Sequence, residues 1–339
     1  MIILRNIERG GNIMKKIKMG VIGTGHMGRN HVRNLTDEKR FDLVGIYDSD
    51  KETAESIALQ YGTRVFDSVG ALLSCVDAVV ISVPSSMHKE IGLIAADHSV
   101  HALIEKPLAL SSADAIEIAD AFQKKGLKLA VGHIERYNPV FRELKKMTNP
   151  DSIFYIQACR YSPFSGSGRI TDTTVVEDLM IHDVDLVCAL MGNRKLTSIH
   201  GRGEAVVTKQ TDFATCMMDF GGDAHAIVNA SRISQNKERS ITVHTRDSCI
   251  HADLLTKTLK IYKSTNLTID LSKDNSYKQE GVIQKVYVPI EEPLRAELVS
   301  FYNYIANDVP MDVTGEVGVR AIKICEEVSN RAMKKKGGN

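Results

Sequence analysis

From residue 17 onward, short apolar runs alternate with longer amphipathic stretches. The runs cover 17–22, 43–47, 63–66, 78–82, 102–105 and 128–131. Apolar runs this short, bounded by turn residues, predict buried strands. Between them, 27–35, 52–60, 69–74, 87–96 and 113–124 carry apolar residues at helical spacing. Asp50, Asp67 and Ser86 are the expected N-caps, and Ser111 with Asp114 resembles a capping box with Asp in place of Glu. Strands joined through helices run parallel, with right-handed crossovers that cover both sheet faces. Six of them predict a doubly wound dinucleotide-binding (Rossmann) domain over 17–135.

After Gly132 the pattern changes. Residues 137–146 suggest a linking helix, followed by strand-like runs at 152–161, 197–207, 214–220, 224–233, 240–245, 248–252, 258–262 and 282–289. Turn signals such as Gly221-Gly222-Asp223 and Thr245-Arg246-Asp247 separate them. The expectation is an α+β domain at 136–335, with a large, open, mainly antiparallel sheet, the helix bearing His182 on one face, and closing helices at 294–306 and 318–334. The fold class is therefore α/β, with residues 1–16 as an N-terminal extension. Within that extension Glu8-Arg9-Gly10-Gly11 precedes Met14-Lys15-Lys16. Codons for such residues can be purine-rich, like a bacterial ribosome-binding site, so translation starting at Met14 is the expectation.

Composition narrows the function classes. A chain of 339 residues suits two domains, at roughly 100–200 residues each. The net charge is +1, and the dense basic run, Lys334–Lys336, sits at the chain end, which argues against nucleic acid as a partner. The six cysteines are scattered without a C-x-x-C pair, so neither a zinc site nor a dithiol motif is written, and no metal is expected. Scattered thiols fit a reducing cytoplasm. No apolar run approaches the roughly 20 residues of a membrane helix.

The first strand runs into Gly23-Thr24-Gly25-His26-Met27-Gly28, a G-x-G-x-x-G loop that a helix follows, and Asp48 ends the next strand 20 residues beyond Gly28. In this arrangement Gly23 permits the tight turn, Gly25 admits a pyrophosphate, and Gly28 lets helix and strand pack closely. The helix N-terminus offers free N–H groups to phosphate. Asp48 can accept from both ribose hydroxyls and repels a 2′-phosphate, which favours NAD over NADP. Two further features suit alcohol oxidation, which removes a proton from a hydroxyl of pKa about 16 as hydride departs. Asp178 and His182 are four apart and share a helix face; histidine is the natural base, and Asp178 either fixes its tautomer or touches the substrate. Lys106, at the carboxyl end of a parallel strand, can stabilise a developing alkoxide. Pro107 keeps it extended and admits a cis bond.

Val83-Pro84-Ser85-Ser86-Met87-His88, Glu105-Lys106-Pro107 and the helix Glu177–Asp185 resemble, in that order, motifs of the Gfo/Idh/MocA oxidoreductases. The resemblance implies Lys106 and His182 as the catalytic pair, with Asp178 as substrate-binding and orienting partner. It also places His26, Met27, Pro84, His88, Glu105 and Lys106 with Gly23, Gly25, Gly28 and Asp48 around NAD. His133 and Asp185 are weaker candidates. Gly132-His133-Ile134-Glu135-Arg136-Tyr137-Asn138-Pro139 and Arg160-Tyr161-Ser162-Pro163, with Arg169, are similar to family members that oxidise UDP-N-acetylglucosamine at C3. This suggests Arg136, Arg160 and Arg169 as cations for a diphosphate, with Asn138 beside them. Competing expectations are a dehydrogenase of a free sugar or inositol, a non-catalytic NAD(H)-binding regulator, and a cycle in which NAD is reduced and reoxidised in place. The family's uncovered sheet face commonly joins subunits, so a homodimer or homotetramer is expected.

Overall fold

The structure is a computed structural model and describes residues 15–164, 173–269 and 277–333. Among these, the strands form two sheets. The first holds β1 (Ile17–Ile22), β2 (Phe41–Tyr47), β3 (Ala78–Ile81), β4 (His101–Glu105) and β5 (Leu129–Gly132), all parallel, in the order β2-β1-β3-β4-β5. Strands β3 and β5 are buried along their whole length, as strands covered on both faces are. The covering helices are α1 (His26–Asp37), α2 (Lys51–Tyr61), α3 (Val69–Leu73), α4 (His88–Asp97) and α5 (Ser112–Lys124). The strand order reverses between β1 and β3, and a crevice at the carboxyl ends of such strands is where these sheets take ligands.

Residues 63–66 do not make the expected sixth strand. Val65 forms an isolated bridge to Ile46. Phe66 lies so close over Gly45 that a Cβ there would come within 2.4 Å of its ring, and the chain then leaves the sheet. Two expected caps also move. Ser68, not Asp67, accepts the Ala71 N–H at the start of α3. Ser86 lies inside a 3-10 turn, Ser85–Met87, that leads into α4 without a side-chain cap. Asp50 does cap α2, and Ser111 accepts the Asp114 N–H while its hydroxyl donates to the Asp114 carboxylate.

The second sheet holds β6 (Ile153–Tyr161), β7 (Ser198–Glu204), β8 (Phe213–Asp219), β9 (His225–Ser231), β10 (Glu238–Thr245), β11 (Cys249–Asp253), β12 (Thr258–Ile269) and β13 (Tyr277–Val286), in the order β13-β12-β11-β10-β6-β9-β8-β7. Neighbours are antiparallel except β6 and β9, which run parallel. Strand β12 outruns its expected end and β13 starts earlier than expected, because the two pair with each other past the edge of β11. Burial alternates along β8, β9 and β11, the mark of a sheet covered on one face.

The expected linking helix divides into a 3-10 turn, Ile134–Tyr137, and α6 (Pro139–Met147). Helix α7 (Ile181–Leu190) packs on β6 and β9, and α8 (Pro293–Ala306) lies against α1 and the 3-10 turn. Helix α9 (Gly315–Met333) joins the two sheets. One side touches β7, while Val131 donates to the Val313 carbonyl just before it. A Cβ at Gly315 or Gly318 would come within 2.6 Å of Leu129 or 2.7 Å of Val131, so small residues let the helix lie directly on β5.

Candidate active site

The glycine loop closes β1 and opens α1. Gly23 has φ +87, and a Cβ there would meet the Ser82 carbonyl at 2.5 Å; at Gly28 it would meet the Gly23 carbonyl at 1.9 Å. Neither position admits a side chain. Gly25 is the opposite case: nothing lies within 4 Å of its would-be Cβ, which leaves room for a phosphate against the backbone. Gly25 is also the N-cap of α1 and supplies no side-chain cap to its N–H groups. Asp48 follows β2 and accepts from the Thr24 N–H at 2.6 Å and the Thr24 hydroxyl at 2.8 Å, which ties it to the loop. A cleft of about 610 Å³ opens beside the loop between α1 and α2, lined by Thr24, Gly25, His26, Arg29, Glu52 and Thr53 among others. Open backbone at the helix start and a carboxylate one strand away fit a dinucleotide.

Lys106 extends from the carboxyl end of β4 towards the second sheet. Its Nζ donates to the Asp178 carbonyl at 2.8 Å and lies 3.5 Å from the Asp178 carboxylate, across 72 residues of chain. The Lys106–Pro107 bond is cis. Asp178 belongs to a π-helical turn, Val176–Met180, that runs into α7, where His182 sits on the first turn. The expectation was an ordinary α-helical face. The wider turn is built on Thr174, whose N–H and hydroxyl donate to Glu177 while its Oγ1 accepts the Val176 N–H. Such π-helical turns are frequent at functional sites. His182 Nδ1 is shut off from solvent and has no hydrogen-bond partner. Burial, reinforced by the Lys106 ammonium, holds its imidazole well below the usual value. Asp178 therefore engages Lys106 and does not fix the histidine tautomer, the first of the two roles open to it. Together, these residues place a cation, a carboxylate and a neutral imidazole at one site.

Other expected residues sit elsewhere. Arg136 is buried and grips Asp185 through Nε at 2.5 Å and Nη2 at 2.7 Å. Arg160 is 1% exposed, paired to Asp183 at 2.8 and 2.9 Å and to Glu135 at 3.0 Å. Both guanidiniums are neutralised inside the protein, so neither serves as a diphosphate ligand. Asn138 caps α6 and donates to Glu135, again in the interior. Arg169 lies outside the described residues. His88 is buried with Nδ1 2.7 Å from the Pro107 carbonyl and Nε2 3.0 Å from the Val83 carbonyl, which makes it a strut beneath the site and not a ligand of the dinucleotide. Burial pushes its imidazole down, and a neutral ring carries one N–H, so one of these contacts at a time is a hydrogen bond. Glu105 likewise faces inward, towards His31. His133 is buried and 3.9 Å from Asp185, while Pro84, Gly25 and His26 are exposed at the crevice.

The sequence reading missed three buried groups. His31 lies at 2.7 Å from Glu105. Asp212 and Arg232 pair at 3.0 Å, and Arg232 also donates to the Thr173 carbonyl, anchoring the entry to the π-helical turn. Glu297 is fully buried and neither carboxyl oxygen has a partner. The signal for Glu297 was available: with Leu294, Leu298 and Phe301 it occupies one helical stripe, an apolar face bearing a carboxyl group.

Comparison with known proteins bears on this geometry. The family described as "Oxidoreductase family, NAD-binding Rossmann fold" matches residues 17–133, and the GFO/IDH/MocA C-terminal domain matches residues 154–251. The chain belongs to the Gfo/Idh/MocA oxidoreductases. It is an NAD-dependent dehydrogenase of that family. This Gfo/Idh/MocA member is 33% identical over 316 residues to the UDP-N-acetylglucosamine 3-dehydrogenase of Acidithiobacillus ferrooxidans, covering 93% of this chain and 97% of that one. A solved structure of that enzyme superposes with a TM-score of 0.84 over 95% of this chain and 99% of that one, at 32% identity. The scyllo-inositol 2-dehydrogenase (NAD(+)) of Bacillus subtilis is 24% identical over 90% of this chain and 93% of its own length.

Proposed function

We propose that the protein oxidises a secondary hydroxyl of a nucleotide sugar to a ketone, and that the substrate is UDP-N-acetylglucosamine, oxidised at C3. Residues 17–135 hold NAD and residues 136–335 hold the sugar. The observation that carries the reading is the meeting of Lys106 with Asp178 one helical turn before His182. NAD, which the Gly23–Gly28 loop and Asp48 would hold, would supply the hydride acceptor for that carbon. His182, neutral and shielded, takes the hydroxyl proton. Lys106 stabilises the oxygen as it gains charge, and Asp178 holds the ammonium in place. The substrate assignment is supported by the 33% identity to the C3 dehydrogenase over nearly its whole length.

A second reading, oxidation of a free sugar or inositol, is favoured by one specific observation. Arg136 and Arg160, two of the three arginines expected to bind a diphosphate, are neutralised in the interior. The test is absorbance at 340 nm with NAD and each of UDP-N-acetylglucosamine, N-acetylglucosamine, glucose and myo-inositol, with a ketone trap present. NADH formed with the nucleotide sugar alone, and reduced by about 10²–10⁴-fold in Lys106→Ala, is the expected result. Turnover of a free sugar instead keeps the mechanism and moves the substrate to the second reading. NAD binding without any turnover points to a regulator.

A further inference from the structure

We propose that His31 and His88 are positioning residues for Lys106, two buried imidazoles that hold the flanks of residues 105–107 so that the lysine ammonium meets the site. This rests on Lys106 acting in the reaction, as argued above.

On one flank His31, fully buried on α1, reaches Glu105 Oε1 through Nε2 at 2.7 Å. The other oxygen of that carboxylate accepts the Lys106 N–H at 3.3 Å. The carboxylate lies in a slot on β5 that only glycine leaves open, since a Cβ at Gly132 would come within 2.8 Å of Glu105 Oε2. On the other flank His88, at the start of α4, reaches the Pro107 carbonyl through Nδ1 at 2.7 Å, with the Val83 carbonyl 3.0 Å from Nε2. The segment is thus fastened to α1 by the carboxylate before the lysine and to α4 by the carbonyl after it.

Packing alone does not call for this chemistry. A buried leucine would fill either space without the cost of burying ring nitrogens, and His31 Nδ1 has no partner at all. What the imidazoles add is a polar hold on one three-residue segment from two separate helices. Lysine needs such a hold because its flexible four-carbon stem has many rotamers to choose among. The place from which the stem springs therefore governs where the ammonium lies, and an error near 1 Å can cost about 10²-fold in rate.

The experiment compares His31→Leu, His31→Gln, His88→Leu and His88→Gln with wild type and Lys106→Ala. It measures kcat and KM with NAD and UDP-N-acetylglucosamine, the isotope effect with substrate deuterated at C3, NAD affinity, Tm, and hydrogen exchange of peptides spanning 103–110. The Leu variants should lose about 10–100-fold in kcat, with a larger isotope effect and NAD affinity within about 2-fold of wild type. Each Gln variant, which keeps a donor, should recover most of that loss. Exchange at the Lys106 amide needs no sugar, and should accelerate at least about tenfold in His31→Leu.

Folded Leu variants with wild-type kcat and exchange would overturn the proposal. So would equal losses in Leu and Gln variants that follow Tm alone. If Lys106→Ala abolishes turnover and the histidine variants are unaffected, positioning fails and the catalytic reading stands. If Lys106→Ala remains fully active, both fail.

Discussion

His182 keeps Nδ1 buried and unpartnered beside the Lys106 ammonium, so its imidazole stays neutral to lower pH than an ordinary histidine. A base of this kind is lost only when pH falls below the usual imidazole range, near 6.5. We therefore expect kcat/KM for oxidation to be flat from about pH 6.5 to 8, with its acid limb displaced below that range. An acid limb with its inflection at about 6.5 in wild type would contradict the depressed titration of His182. Asp48 makes a second demand at this scale. Its carboxylate accepts from Thr24 and faces the loop that receives the dinucleotide. Asp48→Ser should raise KM for NAD by about 10–100-fold, the worth of hydrogen bonds to a charged group, and narrow the preference over NADP. Steady-state kinetics with both cofactors measures this.

Among the elements, α8 carries the least comfortable residue. Glu297 is sealed against α1 and the 134–137 turn, and burial, with Glu105 nearby, pushes its carboxyl well above the ordinary range. In the unfolded chain the group ionises near pH 4.3, while in the folded protein it stays protonated to higher pH. Above that value the unfolded state binds fewer protons, so stability falls as pH rises. Glu297→Gln should remove the effect, so that the variant gains stability over wild type as pH rises towards 8 and matches it near pH 4. Thermal melts of both proteins across that range check it, and a parallel pH dependence in the variant would refute it. Outside residues 63–66, strands and helices were legible because their periods differ so clearly. Residues 63–66 misled because β-branched and aromatic content cannot reveal that Phe66 must fold over Gly45. The π-helical turn at Val176–Met180 was hidden for a similar reason, since its sequence differs little from that of an α-helical one.

At the scale of the molecule, the eight-stranded sheet is covered by α7 and α9 on one face. On the other, Tyr155 lies between His225 and His244, its ring tilted against both at centroid distances of 5.0 and 5.4 Å, and Met217 is exposed. A broad face of this mixed character suits association with a second copy, the arrangement the family resemblance implies. Light scattering should return two or four times the 37.4 kDa of one chain, and Met217→Lys should shift it towards one. A monomer at micromolar concentration would remove this expectation. No described helix is long and apolar enough to cross a membrane.

The sequence by itself determined what is local: the strand and helix periods, the glycine loop with Asp48 at its set distance, and the four-residue spacing of Asp178 and His182. These follow from steric and periodic rules that act within a few residues. Tertiary structure decided which polar groups would be neutralised by which partners. Arg136 and Arg160 carried the same sequence signal as a ligand-binding arginine, yet each closes a buried ion pair with a residue of α7. Lys106 was legible as a cation at a strand's carboxyl end, but its meeting with Asp178 from 72 residues away was not. A charge finds its counter-charge through the packing of distant elements, and desolvation makes that pairing decisive once the site is buried.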